Sequence, residues 1–222
     1  MNSRNQNKFL IISALLLIAS LIMLLIPEHA RRTVRIFEQK GSGRANKVFV
    51  AEIIDGDTFK SADGHAFRLI GVDTPEENMP FFEEAADFAR FLMAGKQITL
   101  EFDKDDLDKY GRSLVYAYDD SVLVNEEIIK NGLGIVYLFE PNLRHAAEFI
   151  NGQKTARESR LGIWSLREPP AEDYYVHIKG SFRFHRPLCV ALGKSNPDNR
   201  EIYYSKDELF DKGYSPCRNC RP

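Results

Sequence analysis

Three short segments in the middle of the chain combine carboxylates with arginines, and together they could do chemistry on a phosphate. They are residues 54–58 (IDGDT), 68–76 (RLIGVDTPE) and 108–112 (DKYGR). Carboxylate and carbonyl oxygens suit a hard cation such as Ca²⁺, and arginine forks bind phosphate oxygens in a bidentate manner. A further carboxylate beside such a phosphate could activate water as a general base. The combination predicts metal-assisted hydrolysis of a phosphodiester.

Each segment, taken alone, also has an ordinary structural interpretation. Asp-Gly pairs usually form turns, Arg68 could be a solvated residue on a strand, and residues 103–108 could be a solvated acidic run. Residues 73–76 could simply be a loop that leads into a helix. A functional site is favoured because all the segments occur together, in this order, on a series of predicted strands.

The elements around these segments predict a small barrel. β-Branched and aromatic residues predict strands at 47–54, 57–62, 66–72, 97–103 and 112–119. One helix should begin at Pro80 and end at Gly95, a second should span about 122–131, and a third should run from Asn142, a good N-cap, to about Arg160. The pattern predicts a mainly β fold with α, a five-stranded OB-type barrel with about three helices.

The three segments, and the closing residues 161–164 (LGIW), resemble the staphylococcal nuclease (thermonuclease) family over roughly residues 47–166. The resemblance implies calcium-dependent endonuclease activity on DNA and RNA, with little sequence preference and 3′-phosphate products. Its implied catalytic residues are Arg68, Glu76 and Arg112, of which Glu76 is the general base and the two arginines stabilise the phosphate.

The resemblance also implies a set of supporting residues. Calcium would be bound by the carboxylates of Asp57 and Asp73 and by the backbone carbonyl of Thr74, with Asp55 as a supporting carboxylate. Substrate contacts would come from Lys109, Tyr110 and Tyr137, and an aromatic ring there could stack on a base.

Two features depart from the family pattern. Phe139 stands where the family often has a second tyrosine, so one hydroxyl contact is missing. Residues 47–166 carry 13 basic and 22 acidic residues, a net charge of −9, unlike the strongly basic secreted relatives. Because phosphate neutralisation supplies most non-specific affinity for nucleic acid, we expect weak binding to long duplexes and better activity on single strands.

The C-terminal part of the chain has a metal-ligand pattern. His185 and Cys189 form H-x3-C, and Cys217 and Cys220 form C-x2-C after 27 further residues. One histidine and three thiolates would complete a closed, structural tetrahedral zinc site. A disulfide would leave an odd thiol, and the strand-to-helix context of a redox C-x2-C is not evident. The pattern resembles the metal-binding domain of the Ada DNA-repair protein, with histidine replacing one cysteine, which suggests either help in holding nucleic acid or a purely structural unit.

The N-terminus predicts a membrane tether. Residues 9–26 are 18 uncharged, mostly apolar residues, long enough for a single membrane-spanning helix. The alternative is a cleaved signal peptide and secretion, although residues 27–30 are a poor cleavage site. Positive residues flank both ends and slightly favour a cytoplasmic C-terminal side, whereas the family resemblance favours an extracytoplasmic barrel.

The chain therefore divides into a membrane anchor (1–30), a neck (31–46), a nuclease-like barrel (47–166), a linker (167–175) and a small Cys/His metal-binding unit (176–222). Two other functions compete with the nuclease. One is a non-catalytic OB-type module that binds nucleic acid or protein at the membrane, and it predicts loss of a catalytic carboxylate or arginine. The other is a membrane scaffold whose tail docks a protein, although the sequence indicates no particular protein partner.

Overall fold

The computed structural model describes residues 46–167 and 170–222. The predicted anchor and all but the last residue of the predicted neck lie outside these ranges, so both stay predictions. Among the described helices, each is too short or too polar to cross a bilayer. Residues Lys47–Pro222 form one compact unit.

The first part of this unit is the predicted barrel. Its strands are β1 (Asn46–Ile53), β2 (Thr58–Ser61), β3 (Ala66–Leu69), β4 (Gly71–Asp73), β5 (Gln97–Glu101), β6 (Ser113–Asp119), β7 (Val122–Leu123) and β8 (Ile135–Tyr137). The main sheet has the order β3-β2-β1-β5-β6-β7, and β3 also pairs with β6 in parallel. This pairing closes five strands into a barrel, as predicted.

The predicted third strand, 66–72, is in fact two strands that meet at a bend. Gly71 adopts a φ of +79°, and a Cβ there would lie 2.4 Å from the ring of Phe149. A side chain is therefore excluded both by the left-handed backbone and by the close ring. The bend separates β3, which pairs with β2 and β6, from β4, which pairs with β8. It lets Arg68 on β3 reach Asp73 on β4, because the chain changes direction between them.

Three helices accompany the barrel, as predicted: α1 (Phe82–Met93), α2 (Val124–Lys130) and α3 (Ala146–Glu158). α1 turns Ala85, Ala86, Ala89 and Leu92 inward, and their small side chains let the helix lie close to the sheet. β6 is buried along Ser113–Ala117, since side chains of α2 and α3 cover the face opposite the barrel interior.

The prediction that Asn142 caps the third helix is wrong. α3 begins at Ala146, with His145 at the N-cap position. The side chain of Asn142, only 1% exposed, instead accepts the backbone N–H groups of Lys104 and Asp105 at 3.1 and 2.8 Å and donates to the carbonyl of Asp105 at 2.8 Å. A buried amide must satisfy its polar atoms, and here the partners belong to the loop that precedes residues 108–112.

The C-terminal unit is a sheet that the sequence did not predict. It contains β9 (Tyr175–Ile178), β10 (Arg183–His185), β11 (Arg200–Tyr203) and β12 (Ser215–Pro216), in the order β11-β9-β10-β12, with helix α4 (Lys206–Asp211). Its apolar cluster, formed by Tyr175, Phe184, Leu209 and Phe210, packs against Trp164 of the barrel part. Arg157 on α3 adds ion pairs to Asp207 and Asp211 of α4 at 3.2 and 3.0 Å. The tail is therefore attached to the barrel through a shared core.

Candidate active site and Cys/His cluster

The three predicted calcium-binding residues lie together and are buried. Asp57 is 4% exposed, Asp73 9% and Thr74 7%. Thr74 donates to Asp57 Oδ2 through its backbone N–H, at 2.9 Å, and through its hydroxyl, at 3.1 Å. Gly56 permits this contact, because a Cβ at residue 56 would lie 2.7 Å from the Thr74 methyl group. The turn at Asp57 and the end of β4 at Asp73 thus bring carboxylate oxygens into one small region.

Asp55 stabilises the turn that carries Asp57. Its Oδ1 accepts the backbone N–H of Asp57 at 2.9 Å, an Asx-type contact that fixes the turn. Burial raises the pKa of Asp55, although the charge of Arg68 and hydrogen bonds to Thr58 oppose the shift. Its contact is to backbone, which fits the supporting role predicted from the resemblance.

Arg68 points into this group of carboxylates. Its side chain is 12% exposed, and its guanidinium pairs with Asp57 and, at 3.1 Å, with Asp73 Oδ1. A third hydrogen bond runs to the carbonyl of Val72 at 3.2 Å. Burial lowers the pKa of Arg68, and the nearby carboxylates oppose that shift. A rigidly held, buried guanidinium beside two carboxylates is well placed to bind a phosphate next to a metal ion.

Arg112 lies directly before β6 and is connected to the same group of carboxylates through Thr58. Its Nε pairs with Asp108 Oδ2 at 2.7 Å, and its backbone N–H donates to Asp108 Oδ1 at 3.0 Å. It also donates to the Thr58 hydroxyl at 3.3 Å, and that hydroxyl donates to Asp57 Oδ1 at 3.0 Å. The parallel pairing of β3 with β6 explains the arrangement, because it sets Arg68 opposite Leu114. Both predicted arginines are therefore linked to Asp57.

Glu76 differs from the other predicted residues because it is exposed. It lies in the loop after β4, and its side chain is 64% exposed. Its carboxylate pairs with Arg218, at 3.1 Å. An exposed carboxylate at the edge of the site is accessible to a water molecule, and a general base must lie within hydrogen-bond reach of the water that it activates.

Two adjoining cavities contain most of these side chains. One, of about 410 Å³, is lined by Arg68, Lys109, Tyr110, Arg112, Tyr137 and Phe139, among others. The other, of about 290 Å³, is lined by Asp73, Thr74, Glu76 and residues of the tail. The structure thus brings every predicted substrate-binding residue to one cleft, and Arg218 lines both cavities.

The tail covers part of the predicted nucleotide site. The guanidinium carbon of Arg183 lies 4.1 Å from the centre of the Tyr137 ring, and that of Arg218 lies 6.0 Å from it. Tyr110, in contrast, is 72% exposed, with Lys109 and Arg112 near its ring. The position of Arg218 could not be predicted from the sequence, since an arginine between two cysteines carries no signal of which surface it will reach.

The four predicted zinc ligands also meet. The ligand atoms of His185, Cys189, Cys217 and Cys220 all lie within 4.8 Å of one another. The Sγ atoms of Cys189 and Cys217 are 4.0 Å apart, close to the roughly 3.8 Å that tetrahedral zinc–sulfur bonds of about 2.3 Å require. The Nδ1 atom of His185 is buried without a hydrogen-bond partner in the described part of the chain. A buried polar atom without a partner is costly, so this group fits a metal ion.

The electrostatics of the cluster agree with that fit. Burial lowers the pKa of His185, with help from the charge of Arg183, which favours the neutral imidazole that metals bind. Burial and the neighbouring thiols raise the pKa of Cys220 to about 12. Three thiolates this close together require a compensating cation.

Comparison with known proteins agrees with the site. Residues 66–166 match the family described as staphylococcal nuclease homologue. The thermonuclease of Staphylococcus hyicus is 34% identical over 140 residues, which cover 58% of this chain and 83% of that protein. The thermonuclease of Staphylococcus intermedius is 29% identical over 163 residues, covering 69% and 97%, and endonuclease YncB of Bacillus subtilis is 35% identical over 137 residues, covering 57% and 65%. Sequence, fold and cleft together place this chain in the staphylococcal nuclease family.

Proposed function

We propose that this chain is a calcium-dependent endonuclease that hydrolyses phosphodiester bonds of DNA or RNA. The observation that carries the proposal is the convergence of Arg68 on β3 and Arg112, in the loop directly before β6, on Asp57. Family membership supports the same reaction class, since relatives in this family are named thermonuclease and endonuclease. The carboxylate and both arginines that a non-catalytic module would lack are present.

Calcium would be held by Asp57, Asp73 and Thr74. The donor set fits, because carboxylate and carbonyl oxygens are the ligands that Ca²⁺ prefers and because the two buried carboxylates lie close enough together to pair with the same guanidinium, that of Arg68. When bound, the ion would polarise the phosphate and offset its charge. The chain's own residues account for the other steps.

Glu76 would accept the proton of the attacking water. Its exposed carboxylate lies at the edge of the cavity that Asp73 and Thr74 also line. Arg68 and Arg112 would bind phosphate oxygens as negative charge grows on them. Arg68 is fixed by three contacts and Arg112 by Asp108 and Thr58, so little reorganisation is needed when the charge develops.

Single strands are the preferred substrate in this proposal. Tyr110 presents an exposed ring at the cleft, where an unpaired base could stack. A barrel with a net charge of −9 would bind the dense phosphates of a duplex weakly. Cleavage of the P–O5′ bond, which leaves a 3′-phosphate and a 5′-hydroxyl, is proposed from the family resemblance.

The test is Glu76→Gln in the purified full-length protein, assayed with Ca²⁺ on single-stranded DNA. Removing a general base should lower kcat by about 10²- to 10⁴-fold with little change in KM. Because Glu76 is exposed, the substitution should change the free energy of unfolding by no more than about 0.5 kcal/mol. Glu77→Gln, the exposed neighbouring glutamate, is the matched control and should cleave like the wild type. Equal kcat in the Glu76 and Glu77 variants would exclude Glu76 as the base.

Two further assignments complete the proposal. The Cys/His cluster would hold one structural zinc ion through His185, Cys189, Cys217 and Cys220, as the orphaned histidine nitrogen supports. Residues 9–26 would anchor the chain in a membrane, with the barrel on the extracytoplasmic side. Protease accessibility on intact cells tests the orientation: an extracytoplasmic barrel is degraded, and a cytoplasmic one is protected.

A further inference from the structure

Arg218 is a tail residue that lies inside the cleft of the barrel. It follows Cys217 in the C-x2-C segment, and its guanidinium pairs with both Asp73 and Glu76. It therefore touches one predicted calcium ligand and the proposed general base. It also lines both cavities, between Glu76 on one side and Tyr137 on the other.

The backbone that carries Arg218 is held firmly. Cys217 and Cys220 belong to the metal-binding cluster on either side of it. The N–H of Cys217 donates to the carbonyl of Phe184 at 2.9 Å, and Arg186 donates to the carbonyl of Cys220 at 2.9 Å. The side chain itself is 54% exposed, so a firmly held backbone presents a solvent-accessible guanidinium to the cleft.

A purely structural role for this ion pair is not sufficient. The tail is already attached through Trp164, the apolar cluster and the pairs of Arg157 with α4. The pair of Arg218 with Glu76 is exposed on both sides and adds little to stability, and the tail keeps its other attachments without Arg218. Its contacts instead match those of Arg68, since both guanidinium groups pair with Oδ1 of Asp73.

The charge distribution gives Arg218 a function. The barrel part carries a net charge of −9, whereas residues 167–222 carry 10 basic and 8 acidic residues. A phosphate that enters the cleft needs local positive charge, and the tail adds the guanidinium of Arg218 to the cavity that Arg68 and Arg112 also line. Arginine suits this task because its planar fork binds two phosphate oxygens at once.

We infer that Arg218 is a third phosphate-binding arginine of the cleft, contributed by the C-terminal metal-binding unit. It would leave Asp73 and Glu76 for the phosphate of a bound single strand, on the Glu76 side of the cleavage point. The inference rests on the proposed nuclease function and extends it, because the substrate site is then completed by a second structural unit.

The test compares Arg218→Ala, Arg218→Lys and the wild type as full-length proteins. Lys194→Ala is the control, since Lys194 is an exposed cation of the same unit that lines neither cavity. Binding is measured by fluorescence anisotropy with a hydrolysis-resistant phosphorothioate DNA of about 12 nucleotides, in Ca²⁺, between about 50 and 200 mM salt. Cleavage of ordinary single-stranded DNA gives kcat/KM.

Loss of one phosphate contact should lower the slope of log K against log salt by about 0.7 for a single strand. We expect that decrease in Arg218→Ala, no decrease in Arg218→Lys or Lys194→Ala, and a fall in kcat/KM of about 10- to 100-fold in Arg218→Ala. The lysine variant should recover only part of kcat/KM, because it binds as a point charge.

Two results would overturn the inference. An unchanged salt slope in Arg218→Ala would mean that Arg218 does not contact phosphate, and higher activity in that variant would mean that it blocks the site. Zinc content and melting temperature, measured on each variant, exclude an indirect effect through the tail. If the wild type does not cleave at all, the proposed function fails, whereas a wild type that cleaves with an unchanged Arg218→Ala slope refutes only this inference.

Discussion

Replacing Asp73 with asparagine should separate calcium binding from folding. Asp73 is 9% exposed, and its Oδ1 atom pairs with the guanidinium groups of Arg68 and Arg218. Asparagine keeps the shape and the acceptor oxygen but loses the charge that Ca²⁺ requires. Arg68 retains its pair with Asp57, so no buried cation is left alone, and we expect a loss of about 1–3 kcal/mol in the free energy of unfolding.

The effect of the substitution on calcium-dependent stability follows from the linkage between calcium binding and folding. A ligand at 100 times its dissociation constant stabilises the folded state by about 2.7 kcal/mol. For a folded part of this size, each kcal/mol shifts the melting temperature by about 2–4 °C, so the wild type should gain about 5–11 °C. If Asp73→Asn weakens binding about 100-fold, the same calcium concentration stabilises it by only about 0.4 kcal/mol, a shift of about 1–2 °C.

Differential scanning calorimetry in calcium-free buffer and after addition of CaCl₂, at constant ionic strength, measures this difference. Asp87→Asn is the matched control, because Asp87 is 70% exposed on α1 and pairs with Arg90, three residues further along the same helix. It should keep the full calcium shift. If calcium raises the melting temperature of Asp73→Asn as much as that of the wild type, Asp73 is not a calcium ligand, and the proposed calcium site does not include it.

Two other predictions concern the tail and the loop side of the barrel. His185→Ala should reduce bound zinc from about one ion per chain to a substoichiometric amount, as measured by plasma mass spectrometry, and a full complement of zinc would contradict the assignment of the cluster. Glu101 is paired with Arg144 and His145. Burial tends to raise the pKa of Glu101, but hydrogen bonds from Tyr118, His145 and Arg144 outweigh burial and lower the pKa below the usual 4.5. A lowered pKa contributes stability above the unfolded value that is lost as the pH falls through the folded one, so Glu101→Gln should melt below the wild type at pH 7 and converge with it in acid. A difference that stays constant with pH would show that the charge of Glu101 is not the cause.

The chemistry of the site could be read from the sequence because each motif is local. Three short segments contain residue types that indicate what they can bind: the turn at 55–57, the strand with Arg68 and the loop at 108–112. The barrel followed from strand patterns, and the Cys/His spacing indicated a metal site whose four ligands do meet. Strand patterns and short motifs such as H-x3-C and C-x2-C depend on residues only a few positions apart, so they can be recognised from the sequence.

Other features were decided by contacts between distant parts of the chain. The bend at Gly71 divided one predicted strand into two, because the left-handed backbone and the ring of Phe149 leave no alternative. Asn142 was not the predicted cap, since its amide satisfies backbone groups some forty residues earlier in the chain. The four-stranded tail sheet was missed because its strands are short and because β11 and β12 pair with strands that lie far from them in sequence.

The sequence by itself determined which groups could bind a cation, a phosphate and zinc. Only the tertiary structure decided that Arg68 and Arg112 share Asp57 and that Arg218, 145 residues away from Asp73, reaches the same carboxylate. The physical reason is that residue type sets what a group can bind, whereas its position depends on long-range packing. Here the parallel pairing of β3 with β6 brings Arg68 and Arg112 together. The packing of Trp164 against Phe210 attaches the tail to the barrel, which brings Arg218 to the same cleft.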